Sequence, residues 1–223
     1  MKRIYMYTVG ERVWHWIQAL VIILLIITGF EAHFSSWFKV FGFTASVYIH
    51  KVLGFLLLLN AFLGFFYHIS TGLIKQFIPR PRGFFDGLFL QARYYLYGIF
   101  KGEPHPFEKT PLHKLNPLQK ITYFGLLNVL LPVQVITGVL MWGSVYFPET
   151  FKIFGGLPVL APIHTLSAYL FIAFIIVHVY MTTLGATPWT MIKAMINGYE
   201  AVSYTHLRAH ETSLHLVCRL LLE

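Results

Sequence analysis

Five histidines lie within or at the ends of the long apolar stretches of this chain, and they are the side chains best suited to carry chemistry. Ionisable groups inside membrane-length apolar segments are costly and are usually functional. A neutral imidazole can bind iron, zinc or copper, and it can also relay protons. We use the spacing of the histidines to distinguish between metal binding and proton transfer. They are His15, His50, His68, His164 and His178.

Four apolar stretches are long enough to position these side chains inside a bilayer, which takes about 20 helical residues per crossing. We predict spans over residues 13–30, 47–69, 121–147 and 160–184. Apolar residues make up 57% of the chain and charged residues 12%, against roughly 25% charged residues in soluble proteins. The composition therefore excludes an ordinary soluble domain. No small-residue cleavage site follows the first stretch, which favours a retained helix over a signal peptide.

Lysines and arginines are concentrated before the first span and in the long connection between the second and third spans. By the positive-inside rule, both termini and this connection are expected in the cytoplasm. The net charge of +8 comes from these basic residues, which set the orientation of the chain in the membrane. They form no nucleic-acid-binding motif. Residues 86–102 mix aromatic and basic residues at helical spacing, which predicts a segment that rests on the membrane surface or docks a partner. The predicted fold class is all-α, a membrane-embedded four-helix bundle with a long cytoplasmic loop between helices 2 and 3.

The last 21 residues, 203–223, do not match the sequence before them. They resemble the translated adapter tails of fragmentary gene sequences, so we predict a four-helix domain over residues 1–202 followed by a non-native tail that replaces the natural C-terminus. Without the tail the chain has no cysteine, which excludes disulfides, cysteine-ligated iron–sulfur clusters and attached c-type haem. The tail residues left out of the functional reasoning are His206, His210, His215 and Cys218.

Under this topology the histidines fall into two layers. His164 and His178 are fourteen residues apart, which places them on one helix face about 21 Å apart along the axis. His50 and His68 are eighteen residues, or five turns, apart and also share a face. The outer layer therefore contains His50 and His164, and the inner layer contains His15, His178 and His68.

Two imidazoles from different helices at one depth are what bis-histidine ligation of a haem iron requires. A small residue follows each outer histidine by one turn, Gly54 after His50 and Ala168 after His164. A porphyrin needs bare backbone of this kind beside its ligands. Ordinary close packing of helices is the alternative explanation for each small residue.

Other chemistry explains the histidines less well. A zinc or copper site needs three or four ligands at one depth, and only the inner layer offers three, without cysteine or carboxylate beside them. A proton relay would normally include buried aspartate or glutamate, and the predicted span interiors contain none. For His15 alone, a place in the aromatic belt beside Trp14 and Trp16 is the competing interpretation.

Several motifs at these positions resemble those of a known family. The chain resembles the di-haem b-type cytochrome subunits that anchor bacterial formate dehydrogenases, nickel–iron hydrogenases and thiosulfate reductases in the membrane. The resemblance covers the chain up to residue 202. The motifs are R-x-x-H-W at residues 12–16 with T-G at 28–29, H-x-x-x-G from His50 with the later His68, N-P-L-Q-K at 116–120, and H-x-x-x-A-Y and H-V-Y in the fourth span.

The resemblance implies two haem b groups, the outer one held by His50 and His164 and the inner one by His15 and His178. It implies a multi-pass subunit of the bacterial inner membrane that passes electrons between a partner redox subunit and a quinone, either menaquinone or ubiquinone. The alternative from a different class is a non-redox membrane anchor or a histidine-based proton-coupled transporter.

Two further side chains of the inner layer keep more than one interpretation. His68 could replace His15 or His178 as a ligand, bind a haem propionate, line a quinone pocket, or lie at the interface beside Tyr67. Arg12, one turn before His15, could pair with a propionate, although topology explains an arginine at a cytoplasmic helix end equally well.

The start of the third span offers two amides, Asn116 and Gln119, that could hydrogen-bond a quinone carbonyl near the inner haem. Helix capping by Asn116 ahead of Pro117 is the alternative for the first of them. Capping does not explain Gln119, which makes Gln119 the stronger quinone candidate from sequence.

Overall fold

The computed structural model describes residues 2–79, 83–107, 109–111, 113–185 and 187–202. Its four longest helical segments are each long and apolar enough to cross a membrane, which confirms the four predicted spans. Arg80 and Arg82 of the basic connection, and the predicted tail at 203–223, lie outside the described residues. The spans are α1 (Val9–His33), α2 (Phe43–Ser70), a third segment over Pro117–Gly143, and α7 (Gly156–Thr182).

The third span is built from three consecutive pieces: α4 (Pro117–Gly125), a π-helical turn (Leu126–Leu130) and α5 (Leu131–Gly143). Pro132 has no N–H to bond within the helix, and its ring clashes with the preceding turn, so a widened turn before it is physically reasonable. The other elements are short. They are β1 (Lys2–Tyr5), 3₁₀ turns at Leu73–Gln76 and Gly98–Lys101, α3 (Phe84–Leu96), α6 (Pro148–Ile153), α8 (Thr190–Asn197) and β2 (Tyr199–Val202).

Each span begins four residues before its predicted start, at Val9, Phe43, Pro117 and Gly156. The predicted bounds follow the apolar runs, whereas the first helical turns also hold polar and small residues at the membrane boundary. The predicted end of the third span at residue 147 was wrong. The helix ends at Gly143, and a turn leads to α6, which begins at Pro148.

The all-α prediction missed a two-stranded antiparallel sheet. β1 pairs with β2, with Lys2 opposite Val202 and Tyr5 opposite Tyr199. Four-residue strands are too short to show a clear alternation, and the pairing partner lies almost the whole chain away. The described parts of Met1–Arg12 and Val179–Glu223 form one compact unit that contains this sheet, and Val13–His178 forms a second.

The connection between α1 and α2 is fixed by Glu31, which lies just beyond the predicted first span and is fully buried. Its carboxylate accepts hydrogen bonds from the backbone N–H groups of Val40, Phe41 and Gly42 and from the Ser46 hydroxyl. These donors lie at the N-terminus of α2, where a negative charge is favourable. Glu31 therefore has a capping function and is no sign of a proton relay.

Helix α3 begins two residues before the predicted surface segment, overlaps it up to Leu96, and is attached to the start of the third span. The side-chain amide of Asn116 donates a hydrogen bond of 3.0 Å to the Tyr95 hydroxyl, and burial raises the pKa of Tyr95. Phe85, Phe89 and Leu96 are strongly exposed on this helix. An apolar exposed row next to basic residues is typical of a helix that lies in the membrane interface.

Candidate functional site

The outer pair of histidines comes from two different spans. His50 on α2 and His164 on α7 have ring centres 6.2 Å apart and ring planes at 72°. Two imidazoles that share one metal ion through bonds of about 2.0 Å have ring centres about 6 Å apart. The two rings are therefore spaced as axial ligands of a single iron.

Each outer histidine is held by a threonine on the neighbouring span. The Thr28 hydroxyl donates to the carbonyl oxygen of Leu24 and lies 3.0 Å from His50 Nδ1. The Thr137 hydroxyl donates to the carbonyl oxygen of Val133 and lies 2.9 Å from His164 Nδ1. Because each hydroxyl hydrogen points to a backbone carbonyl, the threonine oxygen accepts from Nδ1–H. This tautomer leaves the lone pair of Nε2 available to a metal.

An apolar cavity of about 490 Å³ adjoins the outer pair, a size typical of cofactor sites. Gly54 and Ala168, the small residues predicted beside the ligands, both line it. A Cβ built on Gly54 meets no atom of the described residues within 4 Å, so close helix packing within the described structure does not explain this glycine. The side chain that is missing at position 54 leaves room for a bound group.

A polar pair inside the outer layer was not foreseen from sequence. The Gln134 side-chain nitrogen lies 3.0 Å from His164 Nε2, and the Ser167 hydroxyl donates to the Gln134 oxygen. Since His164 Nδ1 carries the proton, Nε2 accepts from the Gln134 amide. The amide thus satisfies the lone pair that a metal would otherwise take.

The inner pair is His15 on α1 and His178 on α7, with ring centres again 6.2 Å apart and ring planes at 48°. The His15 ring is partly buried, and its Nδ1 is buried and has no hydrogen-bond partner among the described residues. The Phe174 ring stacks on His178 with centres 5.6 Å apart, and the Tyr123 hydroxyl lies 3.5 Å from His178 Nδ1. A buried ring nitrogen without a partner is costly, and such a cost is expected where a cofactor belongs.

His68 lies beside the inner layer but is surrounded by aromatic rings. Its Nδ1 is 2.7 Å from the carbonyl oxygen of Gly64, four residues earlier on the same helix. The Trp14 and Phe77 rings both lie 5.3 Å from it, and the ring of Tyr67 lies 5.5 Å away. The residue is buried, and Trp14 packs where a side chain on Gly64 would lie. These contacts give His68 surroundings different from those of the two facing pairs.

Arg12 belongs to the unit that contains the sheet. Its guanidinium donates through Nη1 to the carbonyl oxygen of Ile196, while its buried Nε has no hydrogen-bond partner in the part of the chain that the structure describes. The hydrogen bond to Ile196 ties the start of α1 to the end of α8. Arg12 thus has a structural role in this bond, and its pairing with a propionate stays a prediction.

Asn116 and Gln119 form a complete capping box at the start of α4. The Gln119 backbone N–H donates to Asn116 Oδ1 at 2.8 Å, and the Asn116 backbone N–H donates to Gln119 Oε1 at 3.1 Å. Reciprocal bonds of this kind satisfy two free donors at a helix start. The expectation that capping would leave Gln119 unexplained was wrong, because the third-residue glutamine is part of the cap itself.

The residues present fit a haem in both layers. The outer layer offers two facing imidazoles with defined tautomers, a cavity and a glycine that leaves room beside it. The inner layer offers a second facing pair, in which His15 Nδ1 has no partner among the residues described. Among the described residues, no group of three or more histidine, cysteine or acidic side chains is placed to hold a metal ion. Pairs on facing helices suit a porphyrin iron better than a zinc or copper ion.

Paired histidines inside a bundle of membrane spans define a membrane cytochrome of the b type. Comparison with known proteins supports this class. The chain is 36% identical over 203 residues to a protein of Escherichia coli (strain K12) named as the cytochrome YdhU, across 89% of this chain and 75% of that protein. It is 26% identical over 200 residues to YedZ1 of Azospira oryzae, named as a protein-methionine-sulfoxide reductase subunit, across 84% of this chain and 93% of that protein.

Residues 6–198 match the family described as prokaryotic cytochrome b561, and the chain belongs to this family. It is therefore a multi-pass cytochrome b subunit of the bacterial inner membrane that takes part in electron transport and binds haem b. The resemblance inferred from the histidine motifs is confirmed at this level.

Proposed function

We propose that this protein carries electrons between a partner redox subunit and the quinone pool through two b haems. The outer haem is held by His50 and His164, and the inner haem by His15 and His178. The observation that carries this proposal is the repetition of one spacing, 6.2 Å between ring centres, in both pairs. His164 and His178 share the continuous helix α7, which separates the two layers by about 21 Å along the axis.

The chain's own residues supply ligands, orientation and exclusion of water. The haem iron supplies the one-electron chemistry when it is bound. Thr28 and Thr137 hold the Nδ1 side of the outer imidazoles, so Nε2 is the nitrogen that would bind the iron. At His164 the Gln134 amide would have to release Nε2 for this. The cavity wall is mainly apolar, which lowers the local dielectric constant and keeps bulk water away from the site.

The proposed orientation places the residues before α1, the α2–α4 connection and the residues after α7 in the cytoplasm. Lysines and arginines are concentrated in these segments, as the positive-inside rule requires. The pairing of β1 with β2 supports this arrangement, because the two strands must lie on one side of the membrane. The inner pair, His15 and His178, then lies toward the cytoplasm.

We place the quinone near the inner pair, with His68 as the side chain that contacts it. With Nδ1–H bonded to the carbonyl oxygen of Gly64, His68 presents Nε2 as an acceptor suited to a quinol hydroxyl. Asn116 and Gln119 are weaker candidates, because their side-chain oxygens are occupied in the capping box. The flanking rings of Trp14 and Phe77 offer an apolar surface to a quinone ring.

The partner we propose is a redox subunit of a hydrogenase, a formate dehydrogenase or a molybdopterin reductase of the thiosulfate reductase type. The name of the YedZ1 relative, a subunit of a protein-methionine-sulfoxide reductase, supports a reductase as partner. The family does not favour a non-redox anchor or a proton-coupled transporter.

The test is a reduced-minus-oxidised spectrum of the purified protein, followed by the same spectrum for single histidine variants. We expect b-type bands in the parent protein and loss of one haem's share of the bands in His50→Ala and in His164→Ala. His113→Ala is the matched control, since His113 is exposed in the connection between the second and third spans and does not line the cavity. Absence of b-type bands from the parent protein would contradict the proposal.

A further inference from the structure

Each outer histidine contacts a threonine–glycine pair on the neighbouring span, so the same arrangement occurs twice in the chain. A threonine–glycine pair, Thr28–Gly29 on α1, faces His50, and a second pair, Thr137–Gly138 on α5, faces His164. Both pairs follow an isoleucine, so the short motif I-T-G occurs at residues 27–29 and 136–138. The first two spans and the last two spans thus present their outer histidine in the same way.

Each residue of the pair has a separate physical effect on the imidazole. The threonine oxygen lies 3.0 Å from Nδ1 of His50 and 2.9 Å from Nδ1 of His164, and in both cases its own hydrogen is bound to a backbone carbonyl. The glycine lets the ring approach the neighbouring helix. A Cβ on Gly29 would lie 3.1 Å from His50 Cε1, and one on Gly138 would lie 3.2 Å from His164 Cε1.

We propose that Thr28 and Thr137 are positioning residues for the two axial ligands of the outer haem. Their oxygens fix the Nδ1–H tautomer and the ring planes, and they make each imidazole a stronger donor to the iron. A stronger donor stabilises the oxidised iron, so the two bonds lower the midpoint potential of the outer haem. This inference rests on the proposed function, since it assumes that His50 and His164 bind one haem.

In the described structure no threonine hydroxyl bonds to Nδ1 of either inner histidine. The proposed lowering of the midpoint potential is therefore specific to the outer haem. His15 Nδ1 is buried, and none of the described residues bonds to it. His178 Nδ1 lies 3.5 Å from the Tyr123 hydroxyl, at the outer limit for a hydrogen bond. A change at Thr28 or Thr137 should therefore alter the outer haem and leave the inner one unchanged.

The experiment compares Thr28→Val and Thr137→Val with Thr28→Ser and Thr137→Ser in the purified, haem-loaded protein. Valine keeps the shape of threonine and removes the hydroxyl, whereas serine keeps the hydroxyl. Thr122→Val is the matched control, because the exposed Thr122 makes the same bond to its own helix, at the carbonyl oxygen of Leu118. The readouts are the midpoint potential of each haem, the ferric EPR g-values, which respond to the 72° angle between the ring planes, and haem affinity.

Each valine variant should raise the outer-haem potential, shift its g-values and weaken haem binding by about 10- to 100-fold, the usual effect of losing a partner of a metal-bound histidine. The serine variants should restore all three readouts, and Thr122→Val should match the parent protein. If both valine variants keep the parent potential and g-values, or if serine fails to restore them, the inference is wrong. Retention of the outer haem in His164→Ala would instead overturn the ligand assignment, and therefore the proposed function itself.

Discussion

The variant Gly54→Ala, which adds one methyl group, tests whether a cofactor occupies the cavity beside His50. Gly54 lies one turn after His50 and lines the cavity, and a Cβ built on it has no atom within 4 Å in the described part of the chain. In the protein without cofactor, Gly54→Ala should therefore cause no clash and should stabilise α2 by up to about 1 kcal/mol. With a haem against the helix, the added methyl group overpacks the site at a cost of about 1–3 kcal/mol. This cost corresponds to about 5- to 150-fold weaker binding of the outer haem.

The assay is haem titration of the apoprotein in detergent, with thermal unfolding of the same samples without haem. Gly125→Ala is the matched control, because a Cβ on Gly125 also meets no described atom within 4 Å, while Gly125 does not line this cavity. Equal affinity of the Gly54 and Gly125 variants for the outer haem would refute the idea that the bare backbone at position 54 makes room for the porphyrin.

Three other changes test separate parts of the account. His164→Ala should remove one haem of two while the chain still inserts in the membrane, which haem content per inserted protein measures; loss of both haems would show that the layers do not load independently. His15→Ala should abolish the inner haem and quinol-linked electron transfer, whereas His68→Ala should keep both haems and lower only the rate of quinol oxidation; haem loss confined to the His68 variant would mean that the inner ligand is misassigned. Glu31→Gln should lower the thermal unfolding midpoint, since an amide nitrogen replaces one oxygen that accepts from the α2 N-terminus; an unchanged midpoint would contradict the capping role.

The sequence was sufficient for the features that depend on local periodicity. Apolar runs of membrane length predicted the four spans, and helical geometry then assigned a depth to each histidine. Helical geometry predicted the outer pair, His50 with His164, and the family resemblance implied the inner pair, His15 with His178. Both pairs have ring centres 6.2 Å apart. Counting turns was reliable here because α2 and α7 are continuous over the residues counted.

The features that sequence reasoning missed depend on contacts between distant segments. The role of Thr137 follows from a bond to His164, 27 residues later on another helix, and a single threonine in an apolar run gives no sign of it. The repeated I-T-G motif was the available signal, because both copies precede a histidine-bearing span. One local role was also missed, that of Gln119, because only the first half of the capping box was considered.

The central claim, two haems held by two histidine pairs, is tested most directly by the ratio of haem to protein. Pyridine haemochrome analysis of the purified protein, set against protein concentration from amino-acid analysis, measures this ratio without reference to any partner enzyme. The two facing pairs, each with ring centres 6.2 Å apart, predict two haem b per chain. A ratio of one in fully loaded protein would contradict the account, because one of the two pairs would then have no haem to bind.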